Sequence, residues 1–135
     1  MTDCIFCKII KGEIPSIKIY EDKETYAFLD INPINYGHIL VSPKTHSENL
    51  LAMKEKDTAS LIKTSQKVAS SIMKALKADG FNLGMNNYPA AGQLVMHSHI
   101  HVIPRFKNDG LRHWPSKKYP ANKDKEIAEA IIKCL

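Results

Sequence analysis

Two hydrophobic periods divide the chain. From residue 57 or 58 to residue 77, Leu61, Ile62, Val68, Ala69, Ile72, Met73 and Leu76 recur at steps of three and four. That is the spacing of one apolar helix face. Asp57 stands where a side-chain oxygen can cap the first turn, and Gly80 lies just past the last. The pattern predicts one long amphipathic helix. A second is predicted over 123–134, with Ile127, Ala130 and Ile131 on one side. Elsewhere the chain offers short runs of strand-forming residues. Those at 17–20, 25–29, 38–42, 81–86 and 97–103 predict five short strands, the first two joined as a hairpin by the polar residues 21–24. In the third, Ile39 and Val41 fall on one face and His38 and Leu40 on the other. Turn formers fill 30–37 and 87–92. Residues 3–11 read as a short helical turn with Cys4, Cys7 and Ile10 near one face, ended by Gly12. Strands gathered around one long helix predict an α+β fold with an antiparallel sheet. No repeat or linker interrupts it, so one domain is expected over 1–135.

The strand predicted last carries the densest chemistry. His97, His99 and His101 share one face, with Ser98, Ile100 and Val102 on the other. Pro104, which cannot donate to a ladder, suits the strand's end. Imidazoles titrate near neutral pH and also ligate metals. Two readings therefore stand. Imidazoles two residues apart can grip one metal, with a third ligand completing an open catalytic site. Alternatively, one imidazole attacks phosphorus while its neighbours fix its tautomer, hold non-bridging oxygens and assist the leaving group. Gly92, Gln93 and Asn86 lie just upstream. Close backbone approach at glycine and amide donors suit a phosphate held without metal, which favours the second reading.

Composition narrows the setting. The chain has 135 residues, 44% hydrophobic and 24% charged, ordinary for a globular domain. No apolar run approaches the ~20 residues that span a bilayer, so no membrane partner is expected. Asp3 and Lys8 interrupt any secretory pattern at the start. An intracellular, cytoplasmic protein is expected, with the nucleus open to it in a eukaryote. The net charge of +5 favours anionic partners. Much of it lies late, at Arg105, Lys107, Arg112, Lys117, Lys118, Lys123 and Lys125. This stretch carries no known readout motif, so it reads as solvated surface and nucleic acid is not expected. Trp114 is given no role beyond packing. Cys4 and Cys7 form a C-x-x-C pair, which in a reducing compartment is metal-binding or redox-active more often than a structural disulfide.

His-x-His-x-His-Val-Ile at 97–103, preceded by Ala91, Gly92 and Gln93, resembles the signature of the histidine-triad (HIT) nucleotide-binding proteins. The segments Asp-Cys-Ile-Phe-Cys-Lys-Ile-Ile from Asp3, Phe-Leu-Asp-Ile-Asn-Pro from Phe28 and Gly-His-Ile-Leu-Val-Ser-Pro-Lys-Thr-His from Gly37 are similar to that family's N-terminal half. The resemblance spans roughly Cys4 to Arg105. It implies a HIT-like fold, with a five-stranded antiparallel sheet, one long helix and one C-terminal helix, and a homodimer that joins two such sheets. It also implies hydrolysis or transfer at the α-phosphate of a purine nucleotide, AMP- or GMP-linked, as a phosphoramidate or dinucleoside polyphosphate. The alternative is a nucleotide-binding scaffold with vestigial catalysis. By position, His99 is implied as the nucleophile, His101 as phosphate contact and leaving-group assistant, and His38 as an orienting histidine. Asp30 corresponds to the ribose-holding acid, Phe28, Leu29 and Ile31 to the base sandwich, and Asn86, Gly92 and Gln93 to the phosphate side. Leu94 stands where many members have Ser or Thr, which removes a hydroxyl donor. A branch resembling this chain uses two cysteines and two histidines for structural zinc. That implies Cys4, Cys7, His46 and His97 as ligands, and no organic cofactor.

Overall fold

The computed structural model describes residues 3–135. Five strands form one antiparallel sheet in the order β1-β2-β3-β5-β4. They are β1 (Lys18–Glu21), β2 (Thr25–Leu29), β3 (Ile39–Pro43), β4 (Gly80–Gly84) and β5 (Ile100–Arg105). Three α-helices accompany them: α1 (Ile5–Ile10), α2 (Glu55–Leu76) and α3 (Lys123–Ile132).

The register sorts side chains onto two faces. Ile39 pairs with Leu29 and Val102, and Val41 with Ala27 and Ile100. These residues meet Leu61, Val68, Ala69 and Ile72 of α2 in one core cluster. Leu40 pairs with Phe28 and His101 and lies on the opposite face. There Phe6 and Ile9 of α1 pack on Tyr26, Phe28 and Leu40. The middle of the sheet is thus covered on both sides, so β3 is buried throughout and β2 nearly so. A two-sided cover erases the in–out alternation that a half-exposed strand shows.

Several boundaries differ from the sequence expectation. α2 begins at Glu55, with Lys54 as an N-cap that makes no side-chain bond. Asp57 is not the cap; it sits buried in the first turn, where with Glu55 it places negative charge at the positive end of the helix. The helix ends as Lys77 turns left-handed at φ 51°, before Gly80, which opens β4. β4 stops at Gly84, so Asn86 lies beyond the sheet. β5 begins at Ile100, three residues later than predicted. Its ladder to β3 ends at the Val41–Ile100 pair, and side chains hold the preceding segment instead. Ser42 Oγ donates to the Ser98 carbonyl at 3.1 Å, and the Ser98 N–H donates to the Ser47 carbonyl at 2.7 Å. α3 forms close to its predicted span, yet none of its residues is buried. No helix among the described residues is long and apolar enough to cross a membrane.

Candidate active site

The loop between β2 and β3 is built to present His38. Its turn closes through bonds from the His38 N–H to the Asn35 carbonyl and from the Asp30 N–H to the His38 carbonyl. Gly37 is left-handed at φ +98°, and a Cβ there would drive into Leu76 Cδ1. Asn35 braces the loop by donating to the Pro104 carbonyl at 2.8 Å and to Asp109 at 3.1 Å. Asp109 in turn accepts from Arg105 Nε at 2.8 Å. The Arg105 guanidinium holds the Asp109 carboxyl well below the usual carboxylate range.

Three contacts with unambiguous donors or acceptors set the imidazole tautomers. The Ile34 N–H can only donate, and it meets His38 Nδ1 at 3.1 Å. His38 Nδ1 is therefore bare and its proton sits on Nε2. That Nε2–H donates to His101 Nδ1 at 2.9 Å, with Asp30 Oδ2 3.6 Å away. His101 Nδ1 must then be bare and Nε2 protonated. His99 has the opposite arrangement. The His97 carbonyl can only accept, so His99 Nδ1, at 2.6 Å, carries the proton and Nε2 has a lone pair. Among the described residues neither His99 Nε2 nor His101 Nε2 has a hydrogen-bond partner. Among the described residues no fully buried side-chain nitrogen or oxygen lacks a partner, so both atoms keep some exposure to solvent. Their rings pack at 5.0 Å between centroids. The result is an accessible pair, one nitrogen bare and one protonated.

Electrostatics keep this pair neutral. Burial pushes the His101 imidazole down to about 4, with His99 and His38 adding to the effect and Asp30 opposing it. Burial likewise lowers His38 and His99, again against the pull of Asp30. Ligand atoms of Asp30, His38 and His101 lie within 4.8 Å of one another, but the facing nitrogens of the two rings are spent on each other.

His97 faces another way. Its Nε2 donates to the Pro43 carbonyl at 2.8 Å, which leaves Nδ1 bare. That atom lies 3.4 Å from Cys4 Sγ, 3.5 Å from Cys7 Sγ and 3.2 Å from His46 Nδ1. Cys7 Sγ is 3.5 Å from His46 Nδ1. A tetrahedral zinc with two sulfur and two nitrogen ligands has S–N edges of about 3.5 Å and N–N edges of about 3.3 Å. The four donors stand at those spacings, and the residues fit such an ion. Burial holds His97 down at about 4 in spite of the Pro43 carbonyl, which keeps it in the form that ligates. Burial, with Cys4 beside it, pushes the Cys7 thiol up.

The other expected residues scatter more widely. Asn86 and His101 line one cavity of about 350 Å³ that also meets Arg112 and Trp114. Asn86 Nδ2 reaches the Gly92 carbonyl at 3.4 Å. Two expectations need correction. The buried Gln93 amide is committed to backbone: Nε2 donates to the Glu48 and Val95 carbonyls, and Oε1 accepts from the Tyr88 N–H. It clamps the loop and is not available as a phosphate donor. Leu29 follows the parity of Ile39 and packs on the α2 side, away from the imidazoles. Phe28 does face the imidazole side, buried with its ring edge-on to Phe6 at 5.3 Å. Ile31 is exposed, and Leu94 lines a different cavity, beside Cys4 and His46. Sequence reasoning missed Phe6, whose ring edge meets His99 at 4.9 Å, and the Ile34 N–H. The apolar Phe between two cysteines was the available signal for the first; a backbone donor leaves none.

Arabidopsis thaliana adenylylsulfatase HINT3 is 40% identical over 136 residues, covering 98% of this chain and 68% of that protein. Saccharomyces cerevisiae adenosine 5'-monophosphoramidase HNT1 is 42% identical, covering 96% and 80%. The crystal structure of a Zn-bound histidine triad family protein from Mycobacterium smegmatis superposes with a TM-score of 0.80 at 35% identity, covering 98% and 97%. Residues 11–108 match the HIT domain, so the chain, which holds His97, His99 and His101 within that span, belongs to the HIT domain family.

Proposed function

We propose that the protein hydrolyses purine nucleotides at the α-phosphate through a nucleotidyl-His99 intermediate. The observation that carries this reading is the opposed protonation of two neighbouring, solvent-open nitrogens, bare at His99 Nε2 and protonated at His101 Nε2. His99 Nε2 attacks phosphorus and forms a P–N bond as the leaving-group bond breaks. The imidazolium so formed keeps its Nδ1–H on the His97 carbonyl, a bond that strengthens as charge develops. His101 Nε2–H meets the negative charge on the phosphoryl oxygens and leaving atom. An amine leaving group is completed by a solvent proton, whereas sulfate departs without one. Water then attacks phosphorus and gives up a proton to solvent, the P–N bond breaks, its electron pair returns to His99 Nε2, and the nucleotide is released. Asp30 is proposed to hold the ribose and Asn86 to approach the phosphate. The activities named for the yeast and Arabidopsis relatives, a phosphoramidase and an adenylylsulfatase, support this class of leaving group.

Cys4, Cys7, His46 and His97 are proposed to hold a structural zinc. Bound there, it would tie α1 to the segment ahead of β5; it enters no chemical step. The solvent-facing edge of β4 is proposed to join a second copy, and the protein to act inside the cell as one domain. The test is His99→Ala with adenosine 5'-phosphoramidate, together with an alkaline quench of the wild type, in which P–imidazole bonds persist. Loss of turnover and a nucleotide adduct mapped to His99 are expected. Near-normal turnover by the variant would overturn the assignment.

A further inference from the structure

We propose that Cys4 and Cys7 form an oxidant-sensitive modification site: a peroxide converts the pair to a disulfide, expels the metal, and releases His97 together with the segment that orients His99. This inference rests on the zinc reading and uses no nucleotide chemistry.

Three observations carry it. First, the two sulfurs can reach each other. Cys4 is the N-cap of α1 and Cys7 its third residue, with the Cys7 N–H 3.5 Å from Cys4 Sγ. The ligand atoms of the cluster all lie within 4.8 Å of one another. A disulfide needs the sulfurs at about 2.0 Å. Closing that gap removes both thiolates from the metal and leaves two imidazoles, too few to hold it.

Second, the cluster is open to small molecules on one side. A cavity of about 380 Å³ is lined by Cys4, Ile5, His46, Glu48, Leu94 and Val95. Cys4 lines it and Cys7 does not, which assigns their roles. The Cys4 thiolate attacks a peroxide oxygen, the O–O bond breaks and hydroxide leaves, giving a sulfenic acid. The Cys7 thiolate then attacks Cys4 sulfur, the S–O bond breaks and a second hydroxide leaves. Two thiolates are oxidised by two electrons in all, and one peroxide is reduced to two hydroxides.

Third, the cluster shares parts with the imidazole pair. His97 offers Nδ1 to the sulfurs and its carbonyl to His99 Nδ1–H. Phe6, between the two cysteines in sequence, packs on His97 at 6.0 Å and on His99 at 4.9 Å. A shift of α1 toward a disulfide therefore acts on His99 by two routes.

The test uses the zinc-loaded full chain carrying Cys134→Ser, which removes the exposed third thiol. Hydrogen peroxide is added beside a chromogenic chelator. Zinc release, thiol loss, a peptide map and the NMR signal of the His99 Nδ1 proton are followed. Release of one zinc per chain, a Cys4–Cys7 linkage and loss of the His99 signal are expected, all reversed by dithiothreitol and zinc. Zinc retained while methionines oxidise would overturn the proposal. So would zinc release without that linkage, or release with the His99 signal unchanged. A Cys7→Ser partner in the same background, which cannot close the disulfide, is expected to stop at a Cys4 sulfenic acid that a dimedone probe traps. A chain that never loads zinc overturns both this proposal and the metal reading, and it does so before peroxide is added. Because no readout uses a nucleotide, a failed hydrolase assignment leaves the test intact.

Discussion

Replacing His38 by Phe keeps a ring in the pocket and removes both nitrogens. Two hydrogen bonds go with them: the acceptor for the Ile34 N–H and the donor to His101 Nδ1. Ile34 is 53% exposed, so water can serve its N–H and the first loss is small. The second is larger, because His38 is 2% exposed and its facing nitrogen is the one His101 accepts from. An unmet buried polar group costs about 1–3 kcal/mol. His101 can lower that cost by moving its proton from Nε2 to Nδ1, and this move disarms it. The tautomer preference would weaken by the same 1–3 kcal/mol, which corresponds to about 5- to 150-fold in population. The expected result is a mixed His101 tautomer in long-range ¹⁵N–¹H spectra and a drop of about 10- to 100-fold in kcat/KM on adenosine 5'-phosphoramidate. The spectra test the reasoning without any substrate. A wild-type His101 protonated on Nδ1 would refute the tautomer assignment outright. A variant with unchanged His101 spectra and kcat/KM within about twofold of wild type would reduce His38 to packing.

Further expectations follow from the same structure. Gly37→Ala forces a Cβ into a left-handed position against Leu76, so the urea midpoint should fall by the equivalent of about 2 kcal/mol or more with an unchanged m-value. Because burial lowers the affinity of both His99 and His101 for a proton, kcat/KM should stay level down through pH 6.5 and fall only below it. Stability should decline first: the unfolded chain takes up these protons near 6.5 and the folded chain does not, so urea midpoints fall between pH 6.5 and about 4 and level off below. Chelating the proposed zinc should lower the melting temperature and speed amide exchange in α1 and at 97–99, as read by hydrogen–deuterium exchange.

Much of this architecture could be read before any coordinates. Strand-forming runs and the three-to-four period predicted the five strands and the long helix, α2, whose apolar face repeats at the backbone's own period; the short 3-10 turns at Leu50–Ala52 and Pro89–Ala91 left no such pattern. The boundaries that slipped did so where a tertiary contact outweighed local signals. Asp57 has the chemistry of a cap, yet the helix starts one turn earlier. The alternation at 97–99 promised a ladder that serine hydroxyls and the Ser47 carbonyl replaced. Gln93 shows a different limit. An amide beside a triad has the right type for phosphate, but a side chain's type says nothing of which backbone groups need it. Here Glu48, Val95 and Tyr88 do. Phe28 and Leu29 show a third. Adjacent residues on a strand cannot line the same wall, so the register had to divide them.

The three histidines owe their separate behaviour to what each ring's inner nitrogen meets. Spacing by two puts them on one side of an extended segment, some 6.6–6.8 Å apart along it. It cannot distinguish them. The Pro43 carbonyl takes the Nε2 proton of His97 and turns Nδ1 toward sulfur. The His97 carbonyl takes the Nδ1 proton of His99 and leaves Nε2 bare. An N–H of His38, itself fixed by the Ile34 amide, meets His101 Nδ1 and leaves the proton on Nε2. Two carbonyls and one amide therefore give three identical side chains three different free nitrogens: a bare Nδ1 on His97 facing sulfur, a bare Nε2 on His99 and a protonated Nε2 on His101. Backbone groups cannot be removed by changing side chains, so among the groups that set these tautomers the His38 imidazole is the one a substitution can delete. His38 is the only side chain in the relay, which is why its loss should alter chemistry at His101 while His99 keeps its tautomer.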